Sequence, residues 1–242
     1  MSFGMFCAVP LPFQLWDDSC ANLMLPCFPL VGAVIGALWW GAAELLILSG
    51  IHLMFVSAVT ALVPFLASGF LHLDGYMDTS DAVLSRRPPE EKLRILKDPH
   101  TGSFAVIMLA VLFIMQLASV YAIMEKRNYL LLFIAIPVIS RCCSAISVLM
   151  LKTLPQSSYA KTFSKNSAAA HRIFIIVIAA AGIVFSFFVA GIYALIVAAA
   201  VIAGFWAAMA WEYVDLEGVS GDLAGFALVI GELAGLAAMA AI

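Results

Sequence analysis

Three carboxylates in one short run are the residues best placed to do chemistry. In the stretch from Phe70 to Asp81, aspartates stand at 74, 78 and 81. In a helix that advances about 100° per residue, positions i, i+4 and i+7 fall within an arc of roughly 60°. One face therefore carries Asp74, Asp78 and Asp81. Unpaired like charges at this spacing repel, and no Lys or Arg occurs between 71 and 85 to offset them. A divalent cation bridging them would. Oxygen-only ligands select a hard ion, Mg²⁺ or else Mn²⁺, over zinc. The competing structural reading is a solvated helix end. His72 lies about 200° from the aspartate face, which leaves ligand and packing roles both open.

The segment that follows has the marks of a short surface helix. Pro88 and Pro89 suit a first turn, Glu90 and Glu91 its positive end, Lys97 its negative end, and Pro99 stops it. Arg94 and Lys97 could reach substrate phosphates. Arg86, Arg87 and Lys92 read better as contacts to lipid head groups or solvent. Asp98, beside His100, is a candidate fourth carboxylate and, with Asp81, a candidate proton acceptor.

A further charge lies where charge is costly. Arg141 falls mid-way along an apolar run, so a paired and functional residue is expected. Counting along the helices puts Arg141 and Glu232 at the same depth, about 15 Å from one end of each run. Glu44 matches less well. A structural ion pair that fixes helix register and a catalytic role are both compatible with that placement.

These residues must be positioned by membrane helices. Of 242 residues, 64% are hydrophobic and 11% charged, and the mean hydropathy is +1.08, well outside the range of soluble domains. Seven apolar windows approach the roughly 20 residues that cross a bilayer: 29–48, 52–71, 103–124, 129–151, 173–190, 193–211 and 223–242. Only Gly191 separates the fifth from the sixth, so six spans with a kinked or re-entrant segment there is the alternative. The expected fold is an all-α, polytopic bundle of about seven helices, a single membrane domain over 1–242. Within it, 1–28 forms an N-terminal interfacial segment, 71–102 a catalytic acidic loop, and 152–172 and 212–222 further polar loops. The first 28 residues lack the pattern of a removable signal peptide. Five cysteines show no metal-ligand spacing and read as packing residues.

Charge sets the expected topology. Arg86, Arg87, Lys92, Arg94 and Lys97 follow the second window, Lys152, Lys161, Lys165 and Arg172 the fourth, and only Lys126 and Arg127 the third. Seven spans place the first two groups on one side, which the positive-inside rule makes cytoplasmic together with the N-terminus. The loop with Glu212, Asp215, Glu217 and Asp222 joins them. Three polar loops then meet at one cytosolic face. No Gly-rich phosphate loop is present, so nucleotide recognition must rest on metal and side chains. No feature points to nucleic acid, and a homo-oligomer is compatible with the sequence.

Taken together, these residues resemble the adenosylcobinamide-GDP ribazoletransferases, or cobalamin-5′-phosphate synthases. Leu71, His72, Leu73, Asp74 and Gly75, then Asp78, Thr79 and Asp81, then Glu91, Lys97, Asp98 and Gly102 are similar to the family signature HLDGLADTxDG…EIMKDSxxG. Further similarity runs through Phe28 to Gly32, Ser140 and Arg141, Tyr159 and Ala160, and Gly218 to Gly225 and on to Glu232. Three positions depart from the pattern: Ala82 replaces a glycine, Pro99 and His100 replace Ser-Arg, and Lys161 replaces an arginine. Lysine lacks the guanidinium's bidentate fork. The resemblance implies transfer of the cobinamide phosphate of adenosylcobinamide-GDP to α-ribazole or α-ribazole 5′-phosphate, with release of GMP, in a prokaryotic inner membrane. Mg²⁺ would be held by Asp74, Asp78 and Asp81. His72, Arg94, Lys97, His100, Arg141, Lys161 and Asp222 become candidates for substrate contact, Asp222 also for a second metal position.

Two other readings compete. A CDP-alcohol phosphotransferase also places aspartates at helical spacing at a membrane face, but needs further aspartates where 82–97 has arginines and glutamates. In a transporter, Arg141 and Glu232 would mark a permeation path.

Overall fold

In a computed structural model that describes residues 1–10, 17–155, 157, 162 and 169–242, the regular structure among those residues is helical, apart from one isolated parallel bridge between Thr153 and Val219. After a short α1, Ser2–Phe6, a 3-10 turn leads into α2, Met24–Leu48. The first membrane helix thus starts some five residues earlier than the apolar window. Pro26 sits in its first turn, where no amide hydrogen bond is lost. The later helices are α3 Leu53–Ala67, α4 Leu71–Leu84, α5 Pro89–Ile95, α6 Ser103–Lys126, α7 Leu132–Met150, α8 Ala169–Ala190, α9 Ile192–Leu216 and α10 Gly221–Ala241.

Six of these helices are long and apolar enough to cross a membrane, seven spans if α3 and α4 together make one. The second span is the one that differs from a straight rod. At 15 residues, α3 covers only about 22 Å of a core near 30 Å thick. Gly69 (φ 63°) and Phe70 (φ 62°) then turn the chain in left-handed conformations, and α4 leaves at 91° to α3. The expected weak point at Gly191 is instead an ordinary tight turn at positive φ between two full-length helices.

The bundle is built around α7 and α10, the most buried spans, with α8 the most exposed. Small residues permit close approach of backbones, as is usual where hydrophobic burial cannot drive helix association. A Cβ on Gly36 of α2 would stand 2.6 Å from Ile134 Cα of α7. Outward faces carry Leu45, Phe55, Ile114 and Phe188, a surface suited to acyl chains and not to water.

The ends of the bundle differ in character. At one, the Ala8 amide donates to Ala67 O (2.8 Å), the Leu154 amide to Val219 O (2.9 Å) and the Val219 amide to Lys152 O (2.8 Å). These bonds gather the N-terminal segment, the α3–α4 corner and the loops after α7 and α9. At the other end, Lys126 Nζ donates to Ala240 O (2.8 Å).

Candidate functional site

The acidic helix α4 packs across the N-terminal end of α10, and one glycine sets how closely. A Cβ on Gly75 would lie 2.9 Å from both the Cα and the carbonyl oxygen of Asp222. Only a residue without a side chain lets the two backbones meet. Asp222 occupies the first turn of α10, whose N-cap Ser220 accepts from the Leu223 amide (3.2 Å). The contact brings Asp222 into the field of Asp74 and Asp78, and Asp78 also experiences the charge of Asp81. Asp222, on another helix and almost 150 residues away in sequence, is therefore part of the acidic cluster.

The cluster's members are not equivalent. Asp74 is exposed and Asp78 half-buried, whereas Asp81 is buried. The Asp81 carboxylate accepts from two backbone amides of the α6 start, Gly102 N–H to Oδ2 (2.6 Å) and Ala105 N–H to Oδ1 (3.1 Å). It satisfies donors that a helix N-terminus leaves orphaned. Gly102 is needed there, because a Cβ would run into the Asp81 carboxylate. Its anchoring part is not visible from the helical spacing alone, which groups it with Asp74 and Asp78.

Among the described residues no three His, Cys, Asp or Glu side chains stand close enough to hold a metal ion as they are. The donor chemistry nevertheless suits a hard divalent cation. Asp74, Asp78 and Asp222 offer oxygen alone, repel one another, and make no ion pair among the described residues.

The remaining candidates fall in three places. Asp98 and His100 pair at the surface, where Asp98 Oδ1 accepts from the His100 amide (3.0 Å) and meets its ring Nδ1 (2.7 Å). Those bonds, with the charges of His100 and Arg94, hold the Asp98 carboxyl below its ordinary range. Asp98, Arg94, Arg87, Glu91 and Ile95 line an open cleft of about 420 Å³, and Lys97 is exposed nearby in sequence. Lys92 is not a lipid or solvent contact: it is buried and ion-paired with Asp215 of α9. Lys161 lies outside the described residues.

Deeper in the bundle, Arg141 Nη1 donates to Glu232 Oε1 (2.7 Å) and to Pro137 O (3.2 Å), and Ser140 Oγ donates to Glu232 Oε1 (2.8 Å). The guanidinium lies 5.5 Å from the centroid of the Phe28 ring. Glu44 is engaged elsewhere, accepting from Trp40 Nε1 (3.1 Å). His72 is buried between Phe6 and Phe28, with ring centroids 6.4 and 5.6 Å away, and its Nε2 has no hydrogen-bond partner.

Comparison with known proteins agrees with the reading from the signature residues. The model of the family described as cobalamin-5-phosphate synthase matches residues 1–240. An adenosylcobinamide-GDP ribazoletransferase of Clostridium botulinum (strain Alaska E43 / Type E3) is 37% identical over 241 residues, covering 98% of this chain and 94% of that protein. One from Clostridium perfringens (strain ATCC 13124) is 36% identical over 236 residues, with the same coverage of 98% and 94%. One from Lachnoclostridium phytofermentans is 31% identical over 246 residues, covering 100% of this chain and 92% of the relative. No solved structure matches the chain.

Proposed function

The chain belongs to the cobalamin-5-phosphate synthase family, and from that membership we propose how its own residues perform the family's transfer. It is a membrane-embedded transferase of cobalamin biosynthesis, acting on adenosylcobinamide-GDP. The acceptor is α-ribazole or its 5′-phosphate. A ribose hydroxyl oxygen forms a bond to the phosphorus that carries the cobinamide, the bond from that phosphorus to the oxygen bridging it to GMP breaks, and the hydroxyl proton passes to a base.

The observation that carries the site assignment is the Gly75–Asp222 contact, which assembles carboxylates from α4 and α10 at one end of the bundle. Asp74, Asp78 and Asp222 would hold Mg²⁺, or Mn²⁺, with Asp81 anchoring the start of α6 beside them. Such an ion, when bound, offsets the negative charge of the pyrophosphate and of the departing GMP. Arg94, in the cleft with Asp98, and the exposed Lys97 and His100 would supply contacts to phosphate oxygens. Of the two sequence candidates for the base, Asp81 has both oxygens bonded to α6 amides. Asp98 accepts both its His100 bonds on Oδ1, which leaves Oδ2 for the proton, although the same bonds make it a weaker base than a free carboxylate.

The loop-rich end faces the cytosol in this reading, with the N-terminus on the same side of a prokaryotic inner membrane. Nine positive residues follow the second and fourth apolar windows in the sequence, and two follow the third. The decisive experiment supplies membranes bearing the wild-type chain with adenosylcobinamide-GDP, α-ribazole and Mg²⁺. Formation of adenosylcobalamin with equimolar GMP supports the assignment. No product from correctly inserted protein overturns it.

A further inference from the structure

A partly open, mostly apolar cavity of about 200 Å³ lies next to the acidic cluster, between α1, α2, α4, α7 and α10. Leu25, Phe28, Ser144 and Ala224 form walls, His72 one flank, and Asp222 the edge that adjoins Asp74 and Asp78. Sites that enclose a whole drug-sized ligand run to roughly 300–1,000 Å³. This one accommodates a fused ring system and not a corrinoid. Its polar equipment is sparse, which excludes a base with many hydrogen-bonding edges, since each would be buried unpaired.

His72 gives the cavity its specificity. The side chain is more than nine-tenths buried and its Nε2 is unsatisfied, a condition that native interiors rarely leave without a cause. Its Nδ1 faces Gly225 of α10, where a Cβ would stand 3.8 Å from it and 3.6 Å from the His72 Cα. His72 and Gly225 both line the cavity, and a side chain at 225 would lie against that flank of the imidazole.

On the reading that this chain joins a cobinamide phosphate to α-ribazole, we propose that the cavity seats the benzimidazole base of the acceptor. The two rings lie among Phe28, Leu25 and Ala224, and the imidazole of His72 hydrogen-bonds the base's free ring nitrogen. The ribose then emerges past Asp222, which brings its hydroxyl to the carboxylate cluster where the phosphorus is held. His72 is thus a specificity-determining residue for the acceptor, while the donor's GDP contacts the rim.

The test uses the full chain in lipid nanodiscs. Affinity for α-ribazole is measured by calorimetry, and KM for each substrate is measured separately. His72→Phe keeps the ring and removes its nitrogens. Gly225→Ala adds one methyl at ordinary contact distance and favours the helix, so it keeps the fold. Each is expected to weaken α-ribazole binding, or raise its KM, about tenfold, while the KM for adenosylcobinamide-GDP stays within about twofold. Wild-type α-ribazole affinity and KM in both variants would overturn the proposal, as would a loss confined to the donor. If neither variant alters α-ribazole but both change the amount of co-purifying phospholipid, the cavity holds an acyl chain and the proposal fails. Should the variants weaken α-ribazole binding while no GMP is ever released, the transfer reading falls and the cavity assignment survives.

Discussion

Gly75 and Asp222 touch backbone to backbone, closer than any side chain at position 75 would allow. This contact turns a run of aspartates on one helix into a cluster drawn from two. It predicts a specific fragility. Gly75→Val would force α4 off the α10 N-terminus, at an overpacking cost of about 1–3 kcal/mol, and would separate Asp222 from Asp74 and Asp78. We expect kcat to fall at least about a hundredfold, with a lower melting temperature in detergent. Near-normal turnover would show that Asp222 is dispensable to the cluster.

The aspartates are expected to divide by role when neutralised. Asp78→Asn removes a charge from a mutually repelling set, so the folded protein without divalent metal is expected to be as stable as wild type or more so. Turnover is expected to fall by about three orders of magnitude. Asp81→Asn leaves one acceptor oxygen for two α6 amides and is expected to destabilise by about 1–2 kcal/mol. Thermal melts of both variants, run with EDTA, check the ranking; the reverse order would exchange the anchoring and ligand roles.

Metal removal gives an independent reading of the same cluster. Chelation is expected to abolish transfer, and Mg²⁺ or Mn²⁺ to restore it, whereas Zn²⁺ restores little because the donors are all oxygen. Electron paramagnetic resonance of added Mn²⁺ should show a bound signal in wild type that weakens in Asp74→Asn, Asp78→Asn and Asp222→Asn. Full activity after exhaustive chelation would rule out metal at these carboxylates.

How much of this was legible in the sequence follows from which interactions are local. Apolar length locates the spans, because crossing a bilayer is a constraint each segment meets alone. Helical depth also pairs Arg141 with Glu232, which the structure holds at 2.7 Å. The corner at Gly69 and Phe70 was not legible. The window 52–71 holds no Asp, Glu, Lys or Arg and reads as one span, and Phe70, a bulky residue, adopts a positive φ that its type disfavours. Asp81 reads as one of three equal carboxylates until its partners appear 21 and 24 residues downstream. Lys92 looks like a surface cation until Asp215 comes from 123 residues away. Helical periodicity reports which face a residue shares, and tertiary packing decides what that face meets.

The deep ion pair serves either structure alone or structure and chemistry together, and the two roles leave different signatures. Arg141 and Glu232 are both buried and directly paired, with Ser140 also donating to Glu232 and Arg141 also donating to the Pro137 carbonyl. Removing one partner leaves an uncompensated charge among apolar helices, at a cost of about 3–5 kcal/mol. Arg141→Met and Glu232→Leu are therefore each expected to lower the melting temperature and the yield of inserted protein. The double replacement by Met and Leu removes both charges and should regain most of that stability, since a well-packed apolar pair can match a buried ion pair. If the pair only fixes helix register, activity returns with stability. If the guanidinium, seated against Phe28, also contributes to the field at the substrate, the double variant is stable but slow. Measuring melting temperature and kcat on the four proteins of the cycle separates the two roles.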